Sequence, residues 1–191
     1  IYNNTLYVGD GISTALFGEG NSGDNSGTNA YFWNNILMKE GAGSLKFLTA
    51  HPSDGRDAIE RALGSPDKLM KNNIFWPQSL ASAASGVDVA KMEAAGNIFA
   101  KPQLAIEGDS ELVARLASQA TATFDDATDR IADFTSRERL RERASLFQIA
   151  STSPAVTAGT AITGGPSEDF FGANTAGVGL DIGAHQVSQV K

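Results

Sequence analysis

Ser153-Pro154-Ala155-Val156-Thr157-Ala158-Gly159, then Asp169-Phe170-Phe171-Gly172, then Gly179-Leu180-Asp181-Ile182-Gly183-Ala184-His185 are the blocks on which the reading of this chain turns. Each pairs a short apolar run with a residue that sets the backbone. Pro154 fixes φ and opens an extended segment, and Gly159, Gly172 and Gly183 permit the turns that follow. None of the blocks shows apolar residues at helical spacing, so the segment reads as short strands joined by tight turns.

Upstream, four stretches share one pattern, an Asn followed by apolar or β-branched residues: Asn3-Asn4-Thr5-Leu6-Tyr7, Asn34-Asn35-Ile36-Leu37-Met38, Asn72-Asn73-Ile74-Phe75-Trp76 and Gly96-Asn97-Ile98-Phe99. Their spacing varies, which excludes a rigid period but allows successive turns carrying insertions of different length. Stacked copies place Asn4, Asn35, Asn73 and Asn97 in a ladder of side-chain amides. The alternative is that Asn simply marks turns at strand entry.

Composition agrees with a turn-rich β architecture: 20 Gly, 19% charged residues and 2 His in 191 residues. A net charge of -7 argues against nucleic acid as the main partner, because phosphate binding needs clustered Lys and Arg. No run of apolar residues is long enough to span a bilayer as a helix. With no Cys there is neither a disulfide framework nor thiolate chemistry. Nothing matches a nucleophile elbow, a phosphate loop or a zinc site.

Two stretches interrupt the strands. Near 53–64, Ser53 or Asp54 caps a short helix whose apolar stripe is Ala58, Ile59, Ala62 and Leu63. Lys39, Glu40, His51, Asp54 and Arg56 concentrate the useful chemistry of the first half there, with capping and surface ion pairs as the plainer account. Residues 110–147 then read as a helical insertion ending in Arg137-Glu138-Arg139-Leu140-Arg141-Glu142-Arg143. Arg137, Arg139 and Arg141 are candidate substrate-binding residues for a uronate or sulfated sugar, since guanidinium grips carboxylates bidentately, and a solvated helix face is the alternative. In the polar loop 18–29, Glu19 and Asp24 are the only charges and hence the candidate calcium ligands, against a plain surface loop. The expected organisation is therefore strand copies over 1–109, the helical insertion over 110–147 and terminal strands over 148–191. Because Ile1-Tyr2-Asn3-Asn4-Thr5-Leu6-Tyr7-Val8 already reads as a strand, the chain is expected to be the C-terminal part of a longer protein. Its N-terminal remainder is then a partner, joined to it or present as a separate chain.

The closing blocks resemble the C-terminal segment of bacterial right-handed parallel β-helix proteins of the pectate-lyase-like superfamily, in which similar Ser-Pro-Ala, Asp-Phe-x-Gly and Asp-Ile-Gly-Ala blocks close the coil. The resemblance is close at the C-terminus and looser through the Asn-led copies. Thr157 stands where such proteins often carry Asp, His185 where an aromatic is usual, and Lys101 where an acid usually precedes Pro. The resemblance implies an all-β right-handed parallel β-helix, a solenoid, with short helical insertions. It also implies a secreted, periplasmic or cell-surface protein acting on polysaccharide along a long shallow groove. The implied activity is β-elimination on a uronic-acid polymer, with Lys39, His51 and Arg56 as catalytic candidates and calcium as the implied ion. Alternatives on the same fold are a paired-carboxylate hydrolase and a noncatalytic carbohydrate-binding, adhesin or tail-spike-like module.

Overall fold

An Asn tolerates the left-handed backbone region better than most residues, and Gly better still. Asn3, Asn34 and Asn72 have φ of 54, 56 and 51°, and Gly96, at the same place in the fourth copy, has φ of 80°. The doublet thus divides its labour: the first residue turns the corner and the second, always Asn, enters the ladder. Gly96 serves a further need, since a Cβ there would lie 2.8 Å from Asn72 Nδ2.

The computed structural model describes residues 1–18, 31–43, 45–49, 70–77, 88–108, 144–175 and 179–187. Seven strands are present among them: β1 (Thr5–Val8), β2 (Thr14–Gly18), β3 (Phe32–Trp33), β4 (Ile36–Lys39), β5 (Leu45–Thr49), β6 (Met70–Lys71) and β7 (Ile74–Trp76). A helix α1 (Val89–Ala94) and two 3-10 turns, Ala105–Gly108 and Ser145–Phe147, follow. All strand pairs are parallel: β1-β4-β7 form one sheet, β2-β5 a second and β3-β6 a third. The central register aligns Thr5, Ile36 and Ile74, then Leu6, Leu37 and Phe75, then Tyr7, Met38 and Trp76.

The Asn ladder runs through all four copies. Asn4 Nδ2 donates to Asn35 Oδ1 at 2.9 Å, Asn35 Nδ2 to Asn73 Oδ1 at 3.0 Å, and Asn73 Nδ2 to Asn97 Oδ1 at 2.9 Å. Each acceptor also takes the backbone N–H of the preceding Asn, at 3.1, 2.8 and 3.0 Å. Asn35, Asn73 and Asn97 are buried, so these bonds offset the desolvation that buried amides otherwise cost.

The sheet β1-β4-β7 is covered on both faces, which suits a parallel sheet whose strands read as continuous apolar runs. Ile36, Met38 and Ile74 lie in one core with Leu104, Ile106, Leu146, Ile149, Ala155 and Ile182. Leu37 and Phe75 alternate to the opposite side, where they too are buried. The C-terminal segment is laid on the first face by hydrogen bonds: Asn34 Nδ2 to Thr160 O at 2.7 Å, Thr160 N to Asn34 Oδ1 at 2.9 Å, and Asn72 Nδ2 to Ala158 O at 2.8 Å. Gly183 allows the approach, because a Cβ there would meet Ile36 Cδ1 at 2.7 Å. The acids of the closing blocks hold that segment's own turns. Asp169 accepts from the N–H of Phe171, Ala173 and Gln186, and the buried Asp181 from those of Thr157 and Val187.

These findings correct the expected all-β right-handed parallel β-helix. Among the described residues the strands make three separate sheets of two or three short strands, and no sheet closes or runs on as a solenoid. After β7 the main sheet continues only as a single bridge, Ile74 to Ile98. The reason is that the chain then spends its residues on α1, on 3-10 turns and on irregular C-terminal segments that cover the sheet. The long open groove implied by the resemblance is absent from that face, which is packed with apolar side chains. The insertion near 53–64 lies outside the described residues, and of 110–147 only 144–147 are described.

Candidate functional site

Lys39 closes β4 with its side chain 7% exposed. Its ammonium donates to the carbonyls of Gly9 at 3.0 Å and Gly41 at 3.4 Å, and also to those of Glu40 and Ala42. Four backbone acceptors replace the water that a buried cation gives up. The side chain thereby ties the ends of β1 and β4 together and has no donor left to offer a substrate.

The next residue, Glu40, points the other way along a polar chain assembled from three segments. Tyr7 OH donates to Glu40 Oε2 at 3.1 Å, and Lys101 Nζ lies 2.8 Å from Glu40 Oε1 and 2.9 Å from Glu107 Oε2. Glu107 Oε1 accepts from the N–H of Leu104 at 2.8 Å, fixing it on its 3-10 turn. Burial, with Glu40 beside it, pushes the Tyr7 phenol up to about 12. Lys101 is raised by its hydrogen bonds to Glu40 and Glu107. In this chain every carboxylate oxygen faces a donor, so the arrangement is a brace between β1, β4 and the Ala105–Gly108 turn.

Glu107 also lines a cleft of about 440 Å³ with Gln103, Leu104, Gln148, Ile149 and His185. Its floor is the antiparallel bridge between Leu104 and Ile149. His185 Nδ1 accepts the N–H of Ile149 at 3.3 Å, and its ring packs edge-on against Phe171, centroids 5.2 Å apart. Burial pushes the imidazole below its usual range, partly opposed by Asp169 and Asp181. The neutral ring with Nδ1 accepting carries its proton on Nε2. The cleft therefore offers a donor at His185, two amides and an apolar floor, and its potential bases are already engaged.

A different surface is built on β3 and β6. Phe32 and Met70 are buried, so strand alternation turns Trp33 and Lys71 outward. Tyr2 bridges in parallel to Trp33, and Trp33 pairs with Lys71, which sets Tyr2, Trp33 and Lys71 side by side in consecutive layers. Lys71 Nζ stands 5.9 Å from the centre of the Trp33 ring, within cation–π range. Tyr31 meets Trp33 edge-on with centroids 5.5 Å apart, and Tyr2 and Tyr31 are 43% and 52% exposed. Among the described residues no acid pairs with Lys71.

Of the residues singled out in the sequence, Lys39 and Glu40 are adjacent in the chain but serve different contacts. His51, Asp54, Arg56, Glu19, Asp24, Arg137, Arg139 and Arg141 lie outside the described residues. Among the described residues no group of three or more His, Asp and Glu is placed to hold a metal ion. No described helix is long and apolar enough to cross a membrane. The aromatic and lysine column was missed by sequence reasoning, although the run Tyr31-Phe32-Trp33, with alternation imposed on it, carries the signal. No family model matches the chain, and neither a curated protein nor a solved structure matches it.

Proposed function

We propose that the protein recognises an acidic polysaccharide, one containing uronic acids, through Tyr2, Tyr31, Trp33 and Lys71. The observation that carries this reading is the register of Tyr2, Trp33 and Lys71 in adjacent layers. Layers of a sheet repeat at about 4.8 Å, so an extended sugar chain laid across them meets one outward side chain after another. The aromatic rings supply flat apolar area for the C–H faces of sugar rings at little entropic cost. Lys71 adds a point charge for a carboxylate, on a chain whose net charge of -7 otherwise repels such polymers. The reading carries a location with it, secreted, periplasmic or cell-surface, where these polymers are met.

The test is a titration of the protein with polygalacturonate, alginate and a neutral glucan, followed by tryptophan fluorescence. Binding to the acidic polymers is expected, with Trp33→Ala weakening it at least tenfold. Lys71→Ala is expected to remove the preference for acidic over neutral polymer. Equal or absent binding to all three polymers overturns the reading.

Cleavage by β-elimination is the narrower form of the same reading. In that reaction a base takes the C5 proton, the bond from C4 to the glycosidic oxygen breaks, a C4=C5 double bond forms and the leaving oxygen gains a proton. Lys39 is committed to its carbonyl cage, so His51 and Arg56 would supply the base and the carboxylate partner. Appearance of the unsaturated-uronate absorbance during incubation with polyuronate separates cleavage from recognition alone.

A further inference from the structure

In the cleft lined by Gln103, Glu107 and His185, each of these polar side chains is anchored at one end, which fixes what its other end offers. Gln103 has φ of 55°, a left-handed conformation that costs a Gln strain, and Ala150 N–H holds its carbonyl at 3.0 Å. Its Oε1 accepts from Thr152 Oγ1 at 2.7 Å, so the amide nitrogen is the group left to offer. His185 commits Nδ1 to the N–H of Ile149 and offers Nε2–H. Glu107 meets Leu104 N–H with Oε1 and Lys101 with Oε2, each oxygen keeping a further lone pair. Leu104 and Ile149 form the apolar floor.

We propose that this cleft of about 440 Å³ is a binding site for a single neutral sugar ring. Its volume falls within the range of small-molecule sites, roughly 300–1,000 Å³. Charge argues against ions of either sign. Glu40 and Glu107 share the one ammonium of Lys101, so the brace beside the cleft carries net negative charge and repels a carboxylate or a phosphate. A cation meets the N–H donors of Gln103 and His185, while both Glu107 oxygens already face donors of their own. A sugar ring matches what remains. Its hydroxyls accept from Gln103 Nε2 and His185 Nε2 and donate to the further lone pairs of Glu107, and its C–H face lies on Leu104 and Ile149. Because the three polar groups are held before any ligand arrives, binding orders few side chains. This proposal is independent of the acidic-polysaccharide reading, which rests on Trp33 and Lys71.

The experiment titrates the intact chain with methyl glucoside, methyl galactoside, galacturonate and uridine, following the ring signals of His185 by NMR. The chain has 2 His, so His185→Phe assigns those signals by their loss. Saturable shifts with at least one neutral glycoside are expected, with galacturonate and uridine binding at least fivefold more weakly. Gln103→Asn suits the left-handed backbone but shortens the amide's reach, and is expected to weaken glycoside binding at least tenfold. Thr152→Val frees the Gln103 amide from an exposed partner and is expected to weaken binding about threefold; it decides the matter alone should Gln103→Asn fail to fold. The proposal is overturned by the absence of saturable shifts with both glycosides, by equal or tighter binding of galacturonate or uridine, or by native affinity in the folded variants.

Discussion

Asn73 Oδ1 accepts two hydrogen bonds from Asn35 at once, from the backbone N–H at 2.8 Å and from Nδ2 at 3.0 Å. Asn73 in turn donates to Phe32 O and Asn97 Oδ1, and it is fully buried. Truncation to Ala removes the acceptor of the Asn35 N–H and Nδ2 and the donors to Phe32 O and Asn97 Oδ1, although Asn97 Oδ1 keeps the Asn73 backbone N–H. At about 1–3 kcal/mol for each such group, partly relieved by relaxation, Asn73→Ala is expected to cost about 3 kcal/mol. Asn4→Ala, at the exposed end, is expected to cost under about 1 kcal/mol. Urea unfolding of the two variants checks the gradient, and equal losses would contradict the account.

The ladder was legible in the sequence because one local rule, a left-handed corner followed by an amide, repeats in four places. The extent of the sheets was not legible, since after β7 the main sheet continues only as the bridge between Ile74 and Ile98, and the C-terminal segment that covers Ile36 and Ile74 comes from a distant part of the chain. The same limit hid the joining of Tyr7, Glu40, Lys101 and Glu107, which no local spacing announces. Asp169 and Asp181 were visible as members of the closing blocks, but their work in holding backbone N–H groups appears only once the turns are formed. Gly159 was credited with a turn, and its actual constraint is a close approach, 2.8 Å from its notional Cβ to Asp181 O.

The brace around Lys101 sets the alkaline limit. Tyr7 is raised from 10.0 to about 12 and Lys101 is raised from 10.5, so both bind protons more tightly folded than unfolded. Their contribution is fully present below about pH 10 and is lost as pH rises through the folded values. Lys101 is 42% exposed, so solvent screens its share and Tyr7 dominates. Urea midpoints measured through this window are expected to fall for the native protein and to fall less for Tyr7→Phe.

His185 acts at the other end of the scale. Burial lowers its folded value below 6.5, so the unfolded chain binds the proton more tightly. The stabilisation from keeping the ring neutral is present above about pH 6.5 and disappears as pH falls through the folded value. His185→Phe keeps an aromatic against Phe171 but removes the titrating group and the acceptor for Ile149 N–H. The variant is expected to lose stability near neutral pH and to show a shallower dependence below about pH 6.5. An unchanged slope would show that other groups govern the acid response.

Thr157 is a place where the sequence departs from what its backbone asks for. It has φ of 58°, a conformation that a β-branched residue adopts only under strain, and it is held there because its N–H bonds Asp181 Oδ1 at 2.7 Å. The Thr157 side chain is exposed, so replacing it disturbs no packing. Asn tolerates this region and keeps the backbone donor, and Thr157→Asn is therefore expected to stabilise the protein by about 1 kcal/mol. Thr157→Val keeps the branching and the strain, and is expected to leave stability within about 0.5 kcal/mol of the native value. Paired unfolding curves decide the matter: if Asn and Val variants unfold together, the left-handed turn at Thr157 is not a source of strain.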